Sequence, residues 1–279
     1  VSGARPAWRA AALTALTWVL VLLTTFPLLW MLLTSLKPQT ELFALPPTFL
    51  PESISFAPYL RLLFDTPFPR YFANSIVLAT ATTLLVVAIG AIGAHSLLRF
   101  SYRGREALAT LVLATYLLPS VVLIVPLYLM MVEIGLANRL ASLIIAYTSF
   151  ALPYALWLLR SFMAAIPEEM EAAARVDGAS RIGAFVDIIL PQALPGIGAT
   201  ALFTFILAWN DYLYALVLVN TDTARPLTTG VVTMFVTTFN VEWSMLMAAS
   251  VLMSIPPIIL FTFFHHQLSR SIGAAGVRS

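Results

Sequence analysis

The chain has 279 residues, of which 60% are hydrophobic and only 10% charged, and its mean hydropathy is +0.92. A soluble domain carries about a quarter charged residues, so a chain this poor in charge needs lipid as part of its solvent. The net charge of +2 gives no footing for nucleic acid, and the absence of cysteine excludes disulfides and thiolate metal sites. His95, His265 and His266 have no metal-ligand spacing, and no metal site is expected.

A helix needs about 20 mostly apolar residues to cross the hydrocarbon core. Six segments meet that length: residues 10–35, 74–98, 107–131, 140–159, 197–219 and 245–264. The fold class expected is therefore an all-α integral membrane protein with six transmembrane helices. Residues 10–35 follow Arg5 and Arg9, are too long for a secretory h-region and lead into no small-residue cleavage pattern. They are expected to be a retained first span. Pro153 in the fourth segment and Pro256-Pro257 in the last predict kinks, which membrane helices tolerate when neighbours satisfy the freed carbonyls.

Six spans put both termini on one side. With the termini in the cytoplasm, ten basic residues lie inside (Arg5, Arg9, Arg99, Arg103, Arg105, Arg160, Arg175, Arg181, Arg270 and Arg278) and five outside (Lys37, Arg61, Arg70, Arg139 and Arg225). That bias selects this orientation, and it explains Arg99, Arg103 and Arg105 without a ligand. Residues 37–71 are proline-rich and are expected to pack on the outer mouth. In the outer loop 220–244, the apolar stretch 231–239 is too short to span and predicts a re-entrant or interfacial segment. No internal repeat or linker divides the chain, so residues 1–279 read as one domain.

The inner loop, about residues 160–195, is the most polar long segment. Pro167 suits a helix first turn, Glu168, Glu169 and Glu171 complement its dipole, and Ala172, Ala173 and Ala174 have the highest helix propensity. Gly178 permits a turn. A second short helix is expected from Ser180 to about Ile189, stopped by Pro191. Helix physics alone leaves two readings open, a solvated connection or a docking elbow.

The spacing in this loop carries a resemblance. Ala172-Ala173-Ala174, three residues, Gly178, nine residues and then Ile188-Ile189-Leu190-Pro191 is similar to the Glu-Ala-Ala…Gly…Ile-x-Leu-Pro pattern of permeases of ABC importers. Ala172 stands where that family has Glu, and the nearest acid is Glu171. The segments Arg175-Val-Asp-Gly-Ala, Trp209-Asn210-Asp211, Pro226-Leu227-Thr228 and Gly273-Ala-Ala-Gly-Val-Arg278 resemble the carbohydrate branch, above all the second, smaller membrane subunit of maltose-type importers. The resemblance covers nearly the whole chain.

The resemblance implies a type I importer permease fold with its core at about residues 70–268. It implies that Glu171, Ala172, Ala173, Ala174, Arg175, Asp177 and Gly178 form a coupling helix seated on an ATPase. It places Phe239, Asn240 and Trp243 against an extracytoplasmic solute-binding protein, and Gly273, Gly276 and Arg278 at the ATPase. It implies a homologous second permease, two ATP-binding subunits, a carbohydrate substrate, and ATP with Mg bound by the partner, so that this chain holds no cofactor. The bacterial cytoplasmic membrane is the expected location.

Other residues keep two readings. Asp211 is the one acid inside a predicted span, where an ionised carboxylate needs a wet cavity or a partner. With Asn210 and the aromatic faces of Trp209, Tyr212 and Tyr214 it suits sugar hydroxyls and rings, or it is a polar contact between helices. Trp243 is a partner anchor or a membrane-interface aromatic. Gly90 and Gly93 read as close helix packing, and His265 and His266 as helix-end residues. No phosphate-binding Gly-x-x-x-x-Gly-Lys-Ser/Thr loop and no catalytic constellation occurs. An anionic solute such as glycerol-phosphate is the nearest alternative substrate. A stand-alone secondary transporter would show inverted repeats and several ionisable midplane residues, and the sequence has neither.

Overall fold

A computed structural model describes residues 7–46, 48–236 and 241–276. The described residues are organised as helices in chain order: α1 (Ala7–Ser35), α2 (Ala57–Phe64), α3 (Phe68–Arg99), α4 (Arg105–Thr115), α5 (Ile124–Glu133), α6 (Leu140–Ala164), α7 (Glu168–Val176), α8 (Arg181–Ala184), α9 (Leu190–Gln192), α10 (Leu194–Asn210), α11 (Leu213–Leu218), α12 (Leu227–Phe235) and α13 (Trp243–Gly276). A 3-10 turn, Ser120–Leu123, leads into α5, and a π turn, Phe185–Ile189, joins α8 to α9. Among the described residues four helices are long and apolar enough to cross a membrane, lying within α1, α3, α6 and α13. Two bent pairs raise the number to six if each counts as one span.

The first of those pairs is where a straight-span reading of hydropathy fails. Residues 107–131 are not one rod: α4 and the helix from Ser120 to Glu133 meet at 92°. Pro119 sits at the corner with φ −59° and ψ 115°. It has no N–H to give, and its ring disfavours helix at the preceding residue. Residues 197–219 are interrupted as well. α10 ends at Asn210, Asp211 is extended (φ −65°, ψ 135°), and the chain restarts as the six-residue α11. Pro153 lies inside α6, and Pro256 and Pro257 inside α13; both helices continue through them.

The chain forms two compact units. One comprises the residues up to Pro69 with Val231–Ser254, the other Arg70–Gly230 with the residues from Ile255. In the first, none of the most apolar window of α1 is buried, as suits a helix that is apolar all round and meets lipid or another subunit. The segment after α1 is knotted by polar contacts. Lys37, only 3% exposed, donates from Nζ to the Thr48 carbonyl and, at 3.0 Å, to its hydroxyl. That hydroxyl and the Glu52 amide both donate to Glu41 Oε1, at 2.8 and 3.0 Å. Gln39 bonds the Val241 carbonyl at 3.2 Å and accepts from the Ser244 amide at 3.1 Å, tying this segment to the start of α13.

The second unit is a helical core around α6. Ala91 and Ala94 of α3, Leu159 and Met163 of α6, Ile166, Ile189 and Ala193 form one buried cluster. Small residues let backbones approach closely in membrane helices. On α10, Gly196, Thr200, Thr204 and Ala208 recur at every fourth position and are all buried. A Cβ on Gly196 would lie 2.6 Å from Phe162 Cγ of α6. On α3, a Cβ on Gly90 would meet Leu159 at 3.2 Å and one on Gly93 would meet Leu156 at 2.9 Å, so both glycines mark close packing on α6. Of the stretch 231–239 read as re-entrant or interfacial, residues 231–235 are the end of α12, Val236 bridges to Val241, and 237–239 lie outside the described residues.

Candidate functional site: a helical elbow and a polar cleft

The elbow is built from α7, Gly178 and the α8–π turn–α9 run. Pro167 is the residue before α7, with Glu168, Glu169 and Glu171 in the first turn. Gly178 has φ +96°, a conformation that only glycine adopts without strain. Ser180 then caps α8, its Oγ accepting from the Gly183 amide at 3.0 Å. The second arm runs on past Ile189, through Pro191, to Gln192, and then bends 75° into α10. Pro191 does not stop it. It has no N–H for a helical bond to the Asp187 carbonyl, and the turn just before it is the π turn.

Ala172, Ala173, Arg175, Asp177 and Gly178 are exposed on this elbow, and Ala174 is half-buried. Glu171 faces the other way. Its Oε2 lies 3.3 Å from His95 Nε2 and 3.3 Å from Arg99 Nε, both on the last turns of α3. Two large apolar side chains stand out of this otherwise polar surface on either side of Gly178: Val176 is 87% exposed and Ile182 76%. His95 and Arg99 are the site residues that reading the sequence missed. A histidine at the end of an apolar span, with an arginine four residues on and so on the same helix face, was the available signal.

The break after α10 makes the second site. Tyr147 of α6 donates its hydroxyl to Asp211 Oδ2 at 2.6 Å. The same oxygen accepts the Tyr214 and Ala215 amides at 3.1 and 3.2 Å, satisfying the start of α11. Asp211, Asn210, Tyr147, Tyr214, Ser120, Phe150 and Leu207 line a cleft of about 290 Å³. A larger, mainly apolar cavity of about 720 Å³ adjoins it, sharing Ser120, Phe150 and Leu207. Trp209 does not line the cleft. It is 2% exposed and packs behind it between Phe205 and Phe72, at ring distances of 5.5 and 5.7 Å. Tyr212 is half-buried and also off the lining. The structure thus brings Asn210 and Asp211 together on one surface.

Trp243 begins α13 and lines a 250 Å³ cavity with Trp30, Lys37 and Glu41. Phe239, Asn240 and Arg278 lie outside the described residues. Gly273 and Gly276 fall in the last turns of α13. Among the described residues no group of three or more His, Asp or Glu is placed to hold a metal ion.

Long apolar helices, a surface elbow and an open cleft make this a multi-span helical membrane protein, and comparison with known proteins gives its family. Residues 86–274 match the model of the binding-protein-dependent transport system inner membrane component family, and the chain belongs to it. It is 32% identical over 253 residues to the sulfoquinovosyl glycerol transport system permease protein SmoH of Agrobacterium fabrum, covering 91% of this chain and 88% of the relative. It is 31% identical over 267 residues to the trehalose/maltose transport system permease protein MalG of Thermococcus litoralis, covering 93% and 94%. To the diacetylchitobiose uptake system permease protein NgcG of Streptomyces coelicolor it is 32% identical over 254 residues, covering 90% and 83%. Its fold is that of a chain in a bacterial ABC transporter involved in the import of the acidic polysaccharide alginate, with a TM-score of 0.82, 22% identity, and coverage of 95% of this chain and 99% of that one. The protein is a permease subunit of an ABC importer, an inner membrane component and not an enzyme.

Proposed function

We propose that this permease forms half of the pathway for a carbohydrate, and that residues 1–279 act as one permease domain with both termini in the cytoplasm. The named relatives handle sugars or sugar conjugates, which supports that substrate class. In the cleft, Asn210 and Asp211 offer hydroxyl-binding groups beside tyrosines, and none of its lining residues is Lys or Arg. That lining suits a polyol better than an isolated phosphate. Trp209 and Tyr212 shape the cleft from behind and beside it.

Glu171, Ala172, Ala173, Ala174, Arg175, Asp177 and Gly178 form the helix that docks on a separate ATP-binding subunit, which supplies ATP, Mg and hydrolysis. The observation that carries this is the exposure of Val176 and Ile182 on either side of Gly178, in an elbow outside the long apolar helices. Exposed apolar surface framed by charge marks a protein interface. A homologous second permease completes the pathway. Phe239, Asn240 and Trp243 contact the extracytoplasmic binding protein, and Gly273, Gly276 and Arg278 contact the ATPase. ATP closure of the partner favours one of two access states, and solute crosses as the populations exchange.

The test is purification in mild detergent followed by ATPase assay with sugar-loaded binding proteins. Recovery of a second permease and an ATPase, with turnover raised by one loaded binding protein, is the expected result and names the sugar. Recovery of this chain alone, moving solute in liposomes without ATP, would overturn the proposal.

A further inference from the structure

α7 is nine residues long and hinged at both ends, by Pro167 before it and by Gly178 after it. Nothing lies within 4 Å of a Cβ built on Gly178, so no side chain packs on that turn. α7 itself packs on α8 and the π turn, which holds the two arms of the elbow together. The end of α3 ties this elbow to the long helices. Arg99 spreads its guanidinium across the Pro167 hinge. Nη2 donates to the Ile166 carbonyl at 2.8 Å, on the α6 side. Nη1 donates to Glu168 Oε1 at 2.8 Å and Nε lies 3.3 Å from Glu171 Oε2, on the α7 side. His95, one turn earlier, reaches the same Glu171 oxygen at 3.3 Å.

These contacts differ in weight. The Glu168 side chain is 76% exposed, and such a pair is worth little. The side chains of Arg99 and Glu171 are 10% and 13% exposed, so their attraction is far less screened. The His95 ring also packs on Phe185 of the π turn at 4.6 Å and on Phe100 at 5.7 Å. The last turns of α3 therefore grip both arms of the elbow. At its opposite end the same helix carries Phe72, whose ring meets Trp209 edge-on at 5.7 Å behind the cleft.

The geometry points to His95 and Arg99 as positioning residues that clasp α7 to α3, so that a displacement of the elbow is delivered along α3 to the wall of the cleft. This rests on the reading of α7 as the ATPase-docking helix. Neither residue touches solute or nucleotide. Their role is to make elbow and helix move as one piece.

The test uses the complete importer in proteoliposomes and reads solute moved per ATP hydrolysed. His95→Leu and Arg99→Gln are expected to keep the ATPase bound and its hydrolysis within about twofold, while solute per ATP falls by about tenfold. Arg99→Lys and His95→Gln, which each keep a donor, should recover most of the ratio. Ala173→Arg, on the exposed face of α7, should strip the ATPase from the purified complex. If Ala173→Arg leaves the ATPase bound, the docking reading fails. If it strips the ATPase while Arg99→Gln and His95→Leu transport at the wild-type ratio, the clasp alone is overturned. The chain has no cysteine, so spin labels at Ser101→Cys and Glu169→Cys report the clasp directly. Their distance distribution should be narrow with and without ATP, and broad in Arg99→Gln. An equally narrow distribution in Arg99→Gln would also overturn the clasp.

Discussion

Glu41 shows how a single side chain can hold an irregular segment. Burial raises its carboxyl, but the Glu52 amide, the Thr48 hydroxyl and Lys37 outweigh burial and hold it below the usual carboxylate value. A carboxyl depressed in the folded state adds stability that is complete above its unfolded value. That stability is lost as pH falls through the unfolded and then the folded value. The segment from Lys37 to Glu52 should therefore loosen on acidification below the ordinary carboxylate range. Lys37 Nζ overlies the Trp30 ring at 5.7 Å, so tryptophan fluorescence during a pH titration is one readout. Glu41→Gln is expected to loosen the segment at neutral pH and to flatten its acid transition. An unchanged transition in that variant would assign the acid sensitivity elsewhere.

Elements differ in how much of them the sequence discloses. Hydropathy marks apolar segments because it sums side chains over a window the width of the membrane, and the structure answers with four long helices and two bent pairs. Hydropathy is blind to the backbone, and so it misses the corner at Pro119 and the restart at Asp211, where a missing amide and a capping carboxylate decide the path. The elbow was legible for a different reason: proline, alanines and glycine each constrain the chain locally, so their spacing fixes two short helices and a turn. The grip of α3 on that elbow was not legible, because 76 residues separate His95 from Glu171 and no local pattern encodes their meeting. Helix contact in turn sets what substitutions cost. On the α6–α10 seam, Gly196→Val would drive carbon into Phe162, whose Cβ, Cγ and Cδ2 all lie within 2.8 Å of the position of an added Cβ. Overpacking of this kind costs about 1–3 kcal/mol. The variant should unfold at lower temperature in detergent, while Gly183→Ala in the short α8, whose nearest neighbour would be Ser180 Oγ at 3.3 Å, should change stability by less.

For the whole molecule, orientation is a matter of where charge sits relative to lipid. The basic residues between α3 and α4 and on the elbow predict that these connections share one face of the membrane, and that the segment after α1 lies on the other. The cysteine-free chain makes this directly measurable. In oriented vesicles, Ser101→Cys and Ala173→Cys should react with a membrane-impermeant thiol reagent from the cytoplasmic side only, and Ser53→Cys from the opposite side only. Labelling of Ser53→Cys and Ser101→Cys from the same side would reverse or break the assigned topology.

The exposed valine and isoleucine beside Gly178 also bear on how a cell keeps its subunits in proportion. On the docking proposed above, Val176 and Ile182 stay exposed until the ATPase covers them, beside an exposed glycine turn of the kind proteases reach. A copy synthesised in excess of its partners would carry its own mark for degradation. Assembly would remove that mark, so the surface that joins the motor would also set the permease's lifetime.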